Sequence, residues 1–268
     1  MNQRPTFLVT ILGFGFAFLY VPILSMIFFS FNNSRLATIW GGFSTKWYGK
    51  LLENDKILDA VKLSIEIALI SATTATILGT MTGIALARFR SFRGRTVLSG
   101  LVTAPLIMPE VITGISSLIF FILIALVIEK VTGIKTQRGF TTVTLAHITF
   151  TLTFVTTIVQ SRLMSADISV EEAAMDLGSR PWQVMKDITL PIISPAILSG
   201  WLLAFTISLD DVVITQFTTG PGTTTLPILI YSKVKLGVTP DINALATIIV
   251  SIVSIGVIAT GIVMNRKE

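Results

Sequence analysis

Residues 169–191 read SVEEAAMDLGSRPWQVMKDITLP, and no other stretch of the chain is so regularly patterned. Ser169 stands where a helix N-cap belongs, with Glu172 three residues on, the spacing of a capping box. Val170, Ala173, Ala174 and Leu177 recur at i, i+3, i+4 and i+7, which puts small and apolar side chains on one helix face. Gly178 follows, the residue type that a helix C-terminus takes in the left-handed conformation. Ser179-Arg180-Pro181 opens a second helix, because proline is tolerated in a first turn, and Trp182, Met185 and Ile188 ride on it up to Leu190-Pro191. The pattern predicts a helix–turn–helix within residues 162–190, lying at a membrane surface. Such a hairpin either tidies a long loop or docks its small-residue face into a groove on a soluble partner.

The membrane follows from what flanks this hairpin. Of the 268 residues, 52% are hydrophobic and only 13% charged, with a mean hydropathy of +0.81. A soluble globule carries about 25% charged residues, so a soluble enzyme is excluded. Six stretches are long and apolar enough to cross the bilayer: about residues 6–31, 63–87, 96–128, 140–161, 188–219 and 242–265. The expected fold class is therefore all-α, a polytopic membrane protein of six transmembrane helices in one transmembrane domain, residues 1–268. The first stretch exceeds the apolar core of about 7–15 residues in a signal peptide, and no small-residue cleavage site follows, so it reads as a retained anchor.

Zero cysteines rule out thiolate metal sites, and a single histidine, His147, rules out a multi-histidine one. The net charge of +5 and pI near 9.6 reflect orientation in the bilayer rather than nucleic acid. With the termini inside, Lys and Arg divide ten and ten between the two sides. Short loops weigh most, and Arg88, Arg90, Arg93 and Arg95 fall within eight residues, which favours cytoplasmic termini. Trp40, Trp47 and Tyr48 on the outer loop suit an interfacial aromatic belt. No phosphate-binding Gly-x-x-x-x-Gly-Lys-Ser/Thr loop is present, so ATP energy by that route must come from a partner.

A carboxylate within a span costs about 2.5–3.5 kcal/mol and marks a candidate functional site. Glu66, four residues beyond Lys62, reads as an i,i+4 ion pair. Glu110 sits deeper, on a polar stripe with Thr103 and Ser117, where it either lines a pathway or packs at a helix interface. Asp210 and Asp211 lie about 100° apart on a continuous helix. Asp211 then shares a hydrated face with Ala204, Ser208 and Thr215 and is expected on the pathway. Asp210 is expected at an interface or paired with a partner. Separated carboxylates and aromatic faces suit a flexible polycation, through charge pairing and cation–π contact. His147 beside Thr144 and Thr149 is expected to make a structural hydrogen bond rather than relay protons. A membrane prenyltransferase is disfavoured because Asp210-Asp211 lacks the third acid of its metal cluster. An ion-gradient-driven secondary transporter of organic cations fits the acids but leaves the patterned hairpin unexplained.

Glu172-Ala173-Ala174, Gly178 and Ile188-x-Leu190-Pro191 resemble the EAA signature of inner-membrane permease subunits of bacterial ABC importers. The resemblance extends through Ser208-Leu209-Asp210-Asp211, residues 220–227 and residues 240–247 to the polyamine (spermidine/putrescine) branch of that family. Ala104 to Glu110 and Asn32-Asn33-Ser34 fit as well, with Glu110 where the family commonly has aspartate. The resemblance implies a type I importer fold and a non-catalytic, cofactor-free subunit multiply spanning the bacterial inner membrane. It also implies as partners a second permease subunit in a heterodimer, two ATP-binding subunits, a periplasmic polyamine-binding protein and membrane lipid. On the same ground Glu172, Ala173, Ala174, Gly178, Arg180, Pro181 and Trp182 would form the surface coupled to the ATPase. Putrescine and spermidine both stay open as substrates.

Overall fold

The computed structural model describes residues 6–36, 39–89, 91–237 and 239–265, with side chains as far as Ile255. Arg4, Arg90, Arg266 and Lys267, counted above for orientation, lie outside the described residues. Helices follow one another as α1 (Thr6–Ser30), α2 (Lys46–Leu52), α3 (Asp55–Arg88), α4 (Arg95–Ile107), α5 (Glu110–Thr132) and α6 (Phe140–Ser165). Then come α7 (Ser169–Asp176), α8 (Pro181–Val184), a π-helical turn (Met185–Thr189), α9 (Leu190–Asp210), α10 (Val213–Thr218), α11 (Leu226–Leu236) and α12 (Pro240–Asn265). Among the described residues there is no strand, only a bridge between Asn32 and Phe43. Among the described residues, five helical segments are long and apolar enough to span a membrane: Phe7–Ser30, Asp55–Arg88, Glu110–Thr132, Phe140–Ser165 and Pro181–Asp210. Two shorter apolar helical stretches, Arg95–Ile107 and Pro240–Ile255, accompany them.

The chain forms two compact units, one of Met1–Asp59 with Leu229–Glu268 and one of Ala60–Ile228. In the first, α12 packs on α1 and α2. The turn after α1 is organised by Asn32, whose amide donates to the carbonyls of Leu36 (3.3 Å) and Ile39 (2.7 Å). Its Oδ1 accepts the amides of Ser34 (3.0 Å) and Gly41 (2.7 Å). Trp47 is buried and donates its indole N–H to the Asn32 carbonyl at 2.7 Å. Trp47 therefore closes this loop rather than joining a belt, because burying its ring also satisfies its N–H.

In the second unit α6 is the central helix, packed against α9, α10 and α4. Ala72, Val155, Val159, Leu163, Ile193 and Ala204 form its core. Without a hydrophobic drive between helices in lipid, close approach depends on small residues. Gly79 and Gly83 supply them against α6: a Cβ at Gly79 would lie 2.8 Å from the Val155 Cβ, and one at Gly83 3.0 Å from the Val159 Cγ1.

Two expected spans are interrupted. The stretch 96–128 divides into α4 and α5 at Met108–Pro109, since a residue before proline is pushed out of the helical region; Met108 is extended, with ψ 137°. The stretch 188–219 breaks after Asp210, where Asp211 adopts ψ 126° and α10 starts afresh. The stretch expected at 63–87 is longer, beginning at Asp55. Pro240 opens α12 as its first helical residue, and the Ile242 amide reaches back to the Thr239 carbonyl at 3.0 Å.

Candidate functional site

The hairpin is built as α7, a turn at Gly178, and α8 running on through the π turn into α9. Gly178 has φ +90°, which an L side chain rarely adopts, and its amide bonds the Met175 carbonyl at 2.9 Å. The Ser179 amide closes onto Ala174 at 3.0 Å. Pro181 stands at the start of α8, and the Arg180 amide donates to the Gln183 side chain at 2.9 Å. The expected Ser169–Glu172 capping box does not form. Ile168 takes the N-cap position, its carbonyl accepting the Glu172 amide at 3.1 Å, and Asp167, two residues before Ser169, accepts the Ser169 amide at 2.9 Å, the donor that the Glu172 side chain would have reached. That amide holds the Asp167 carboxyl below its ordinary value.

Glu172, Ala173, Arg180, Pro181 and Trp182 are exposed, and Ala174 is half-buried. Leu177 is 89% and Trp182 72% exposed, leaving two large apolar side chains uncovered at the tip. Sequence reasoning missed Glu171, which is buried in α7. One of its oxygens takes three donors: Arg88 Nη2 at 2.8 Å, Arg88 Nε at 3.2 Å and the Thr189 hydroxyl at 3.1 Å. Arg88 Nη1 bonds the Leu163 carbonyl at 3.0 Å. A Glu followed by a Glu is ambiguous in a pattern; only the packed helix decides which one turns inward.

The second candidate region is the break between α9 and α10. Asp211 caps α10: its carboxylate accepts the Thr215 amide and the Thr215 hydroxyl, both at 2.7 Å, and the Ile214 amide at 3.3 Å. His147 from α6 lies against it, with Nδ1 2.7 Å from the Ser208 hydroxyl, Nε2 2.9 Å from the Thr215 hydroxyl and 3.3 Å from Asp211. The donors balance with Nε2 protonated toward Thr215 and Asp211, and Nδ1 accepting from Ser208. The Asp211 side chain is only 7% exposed and that of His147 2%. The stripe of Ala204, Ser208, Asp211 and Thr215, expected to be hydrated, is thus buried against α6. Asp210 is exposed, on the open side of α9 with Thr206.

Glu110 is exposed in the first turn of α5, not mid-helix. Thr103 and Ser117, expected beside it on one stripe, donate to the Ser99 and Thr113 carbonyls of their own helices, both at 2.8 Å. Glu66 lies 4.0 Å from Lys62, the expected i,i+4 pair. No group of three His, Cys, Asp or Glu placed to hold a metal occurs among the described residues.

The family profile described as "Binding-protein-dependent transport system inner membrane component" matches residues 79–266, the hairpin and both helix breaks included. The chain belongs to this permease family. Across its whole length the permease is 50% identical to the Escherichia coli K12 "Putrescine transport system permease protein PotI", covering 95% of that protein. It is 42% identical to the E. coli K12 "Spermidine/putrescine transport system permease protein PotC", over 94% of this chain and 91% of that one. A bacterial transporter importing the acidic polysaccharide alginate superposes with a TM-score of 0.78 over 98% of this permease and 94% of that chain. At 17% identity that likeness concerns the fold alone. The permease is a membrane protein with the helical fold of ABC-importer permeases.

Proposed function

We propose that the chain is a membrane-spanning permease subunit of an ATP-driven importer for polyamines, with putrescine as the substrate, taking it from a periplasmic binding protein. The half-identity to a putrescine permease along the entire chain carries this reading. In it, the protein lies in the bacterial inner membrane with both termini cytoplasmic. It pairs with a second permease subunit and meets two ATP-binding subunits that hydrolyse the ATP; this chain catalyses no reaction. The hairpin would dock the ATP-binding subunit through Glu172, Ala173, Ala174, Gly178, Arg180, Pro181 and Trp182. The uncovered Leu177 and Trp182 support this, since a hairpin that merely closed a loop would turn them inward.

For the substrate, Asp210 and Glu110 are the acids open to a passing ammonium group, and Asp211 shapes the break that presents its neighbour. The deciding experiment is radiolabelled putrescine uptake by cells or vesicles carrying the chain with its partners. Uptake should require the binding protein, stop on ATP depletion with the ion gradient held, and be competed less well by spermidine than by putrescine. Uptake that survives ATP depletion would point instead to a secondary transporter. Uptake competed better by spermidine would move the substrate to the longer polyamine.

A further inference from the structure

Four elements are joined through one ion pair beneath the hairpin, Arg88 with Glu171. Arg88 is the last residue of α3, Leu163 lies in the final turn of α6, Glu171 is in α7, and Thr189 ends the π turn. The guanidinium uses all three of its nitrogens here, two on Glu171 and one on the Leu163 carbonyl. Its side chain is 14% exposed and that of Glu171 12%, so the charges are largely out of water. Opening such a pair strands a desolvated charge, which makes the two partners move together or not at all.

The π turn belongs to the same construction. One extra residue in a helical turn rotates everything beyond it by about 100°. Here that rotation sits between α8 and α9, with Thr189 directed at Glu171 while Val184 is buried one turn earlier. The exposed and buried faces of the hairpin therefore carry separate tasks. Glu172, Leu177 and Trp182 point outward, and Glu171 ties the hairpin down to α3 and α6.

We propose that Arg88 and Glu171, with Thr189 and the Leu163 carbonyl, are the rigid link through which movement of the hairpin reaches α3 and α9. Both are positioning residues: they touch neither substrate nor ATPase, and they make the hairpin a lever instead of a tethered loop. The inference rests on the docking role proposed for the hairpin, and the two can fail separately.

The test is the reconstituted complex in vesicles containing ATP, with putrescine uptake and ATP hydrolysis read from the same sample. Arg88→Lys keeps the charge but cannot serve both Glu171 and Leu163; Glu171→Gln keeps the shape and loses the charge. Arg88→Leu with Glu171→Leu removes the pair without stranding either charge, which protects folding. All three should copurify with the ATP-binding subunit and hydrolyse ATP, while putrescine taken up per ATP falls about tenfold. Thr189→Val, which deletes one of three donors, should lower the ratio less. The link is overturned if the assembled variants keep the parent ratio, or if they only reduce the amount of complex while what assembles transports normally. Leu177→Ala with Trp182→Ala tests the docking itself: normal copurification and normal uptake there would sink the docking role and the link with it. Lost copurification there beside unchanged ratios in the Arg88 and Glu171 variants would sink the link alone.

Discussion

Asp210 and Asp211 are neighbours with opposite environments, and that difference is open to measurement. Asp211→Ala removes the oxygens that cap α10 and face His147, so the membrane-inserted protein should lose about 0.5–2 kcal/mol, the worth of an N-cap, seen as a lower midpoint in thermal denaturation in detergent. Asp210→Asn should leave that midpoint in place and raise the putrescine concentration needed for half-maximal uptake. The opposite pattern would return Asp211 to the pathway. Gly220 offers a steric test at the same scale. A Cβ there would sit 1.9 Å from the Arg138 carbonyl oxygen, a backbone atom that cannot swing aside. Gly220→Ala should cost about 1–3 kcal/mol, the usual range for overpacking, and lower the amount of protein recovered from the membrane. The inward role of Asp211 had a local trace, an Asp with Thr215 four residues on inside an apolar run. Its partner His147 lies 64 positions earlier in the chain, and only the packing of α6 on α9 and α10 joins them.

Among elements, the hairpin was the most legible, because Gly178 and Pro181 each fit few backbone conformations and fix its turn. Gly178→Val forces a β-branched residue to φ +90°, so uptake and copurification with the ATP-binding subunit should both fall, while the spans still insert. Unchanged copurification would show that the turn geometry is dispensable. The interrupted spans were harder to see. Hydropathy registers how apolar a stretch is, and both 96–128 and 188–219 remain apolar through their breaks. Pro109 did hold the signal for the first, through its effect on Met108. Nothing in a five-residue window announces the π turn at 185–189, which depends on Thr189 reaching Glu171. Deleting Lys186 should convert it to an ordinary turn and rotate α8 against α9 by about 100°, abolishing coupling more fully than any single side-chain change. Uptake by that deletion at the parent level would show that the extra residue carries no register information. At the start of α7, the Asp167 carboxyl is held below its ordinary value by the Ser169 amide. A depressed carboxylate contributes above its unfolded value and is lost as pH falls through the folded one. Protection of the Ser169 amide, taken relative to its intrinsic exchange rate at each pH, should therefore hold at neutral pH and be lost in acid, read by hydrogen exchange; equal protection at both would show that the bond is not what orders the turn.

At the scale of the whole molecule, the all-helical fold was legible from hydropathy and length, since lipid admits few other ways to satisfy a spanning backbone. The division into two units was not, because α3 and α11 run through its boundaries without a change in composition. The proposed topology predicts cytoplasmic signals from reporters at positions 92 and 268 and a periplasmic signal at 136; a periplasmic signal at 92 would invert it. The arginines behind that prediction also serve the folded protein. Arg95 donates to the carbonyls of Phe89 at 2.8 Å and Leu86 at 3.1 Å, closing the end of α3, much as Arg88 reaches Leu163. Membrane insertion machinery counts positive charge, for which lysine serves as well as arginine. The finished fold counts N–H groups in a planar fork, for which it does not. Biogenesis and maturation thus draw on the same side chains at different moments and by different criteria. A chain with lysine at both positions would thread into the bilayer correctly and still leave the carbonyls at the ends of α3 and α6 without the forked donors that close them.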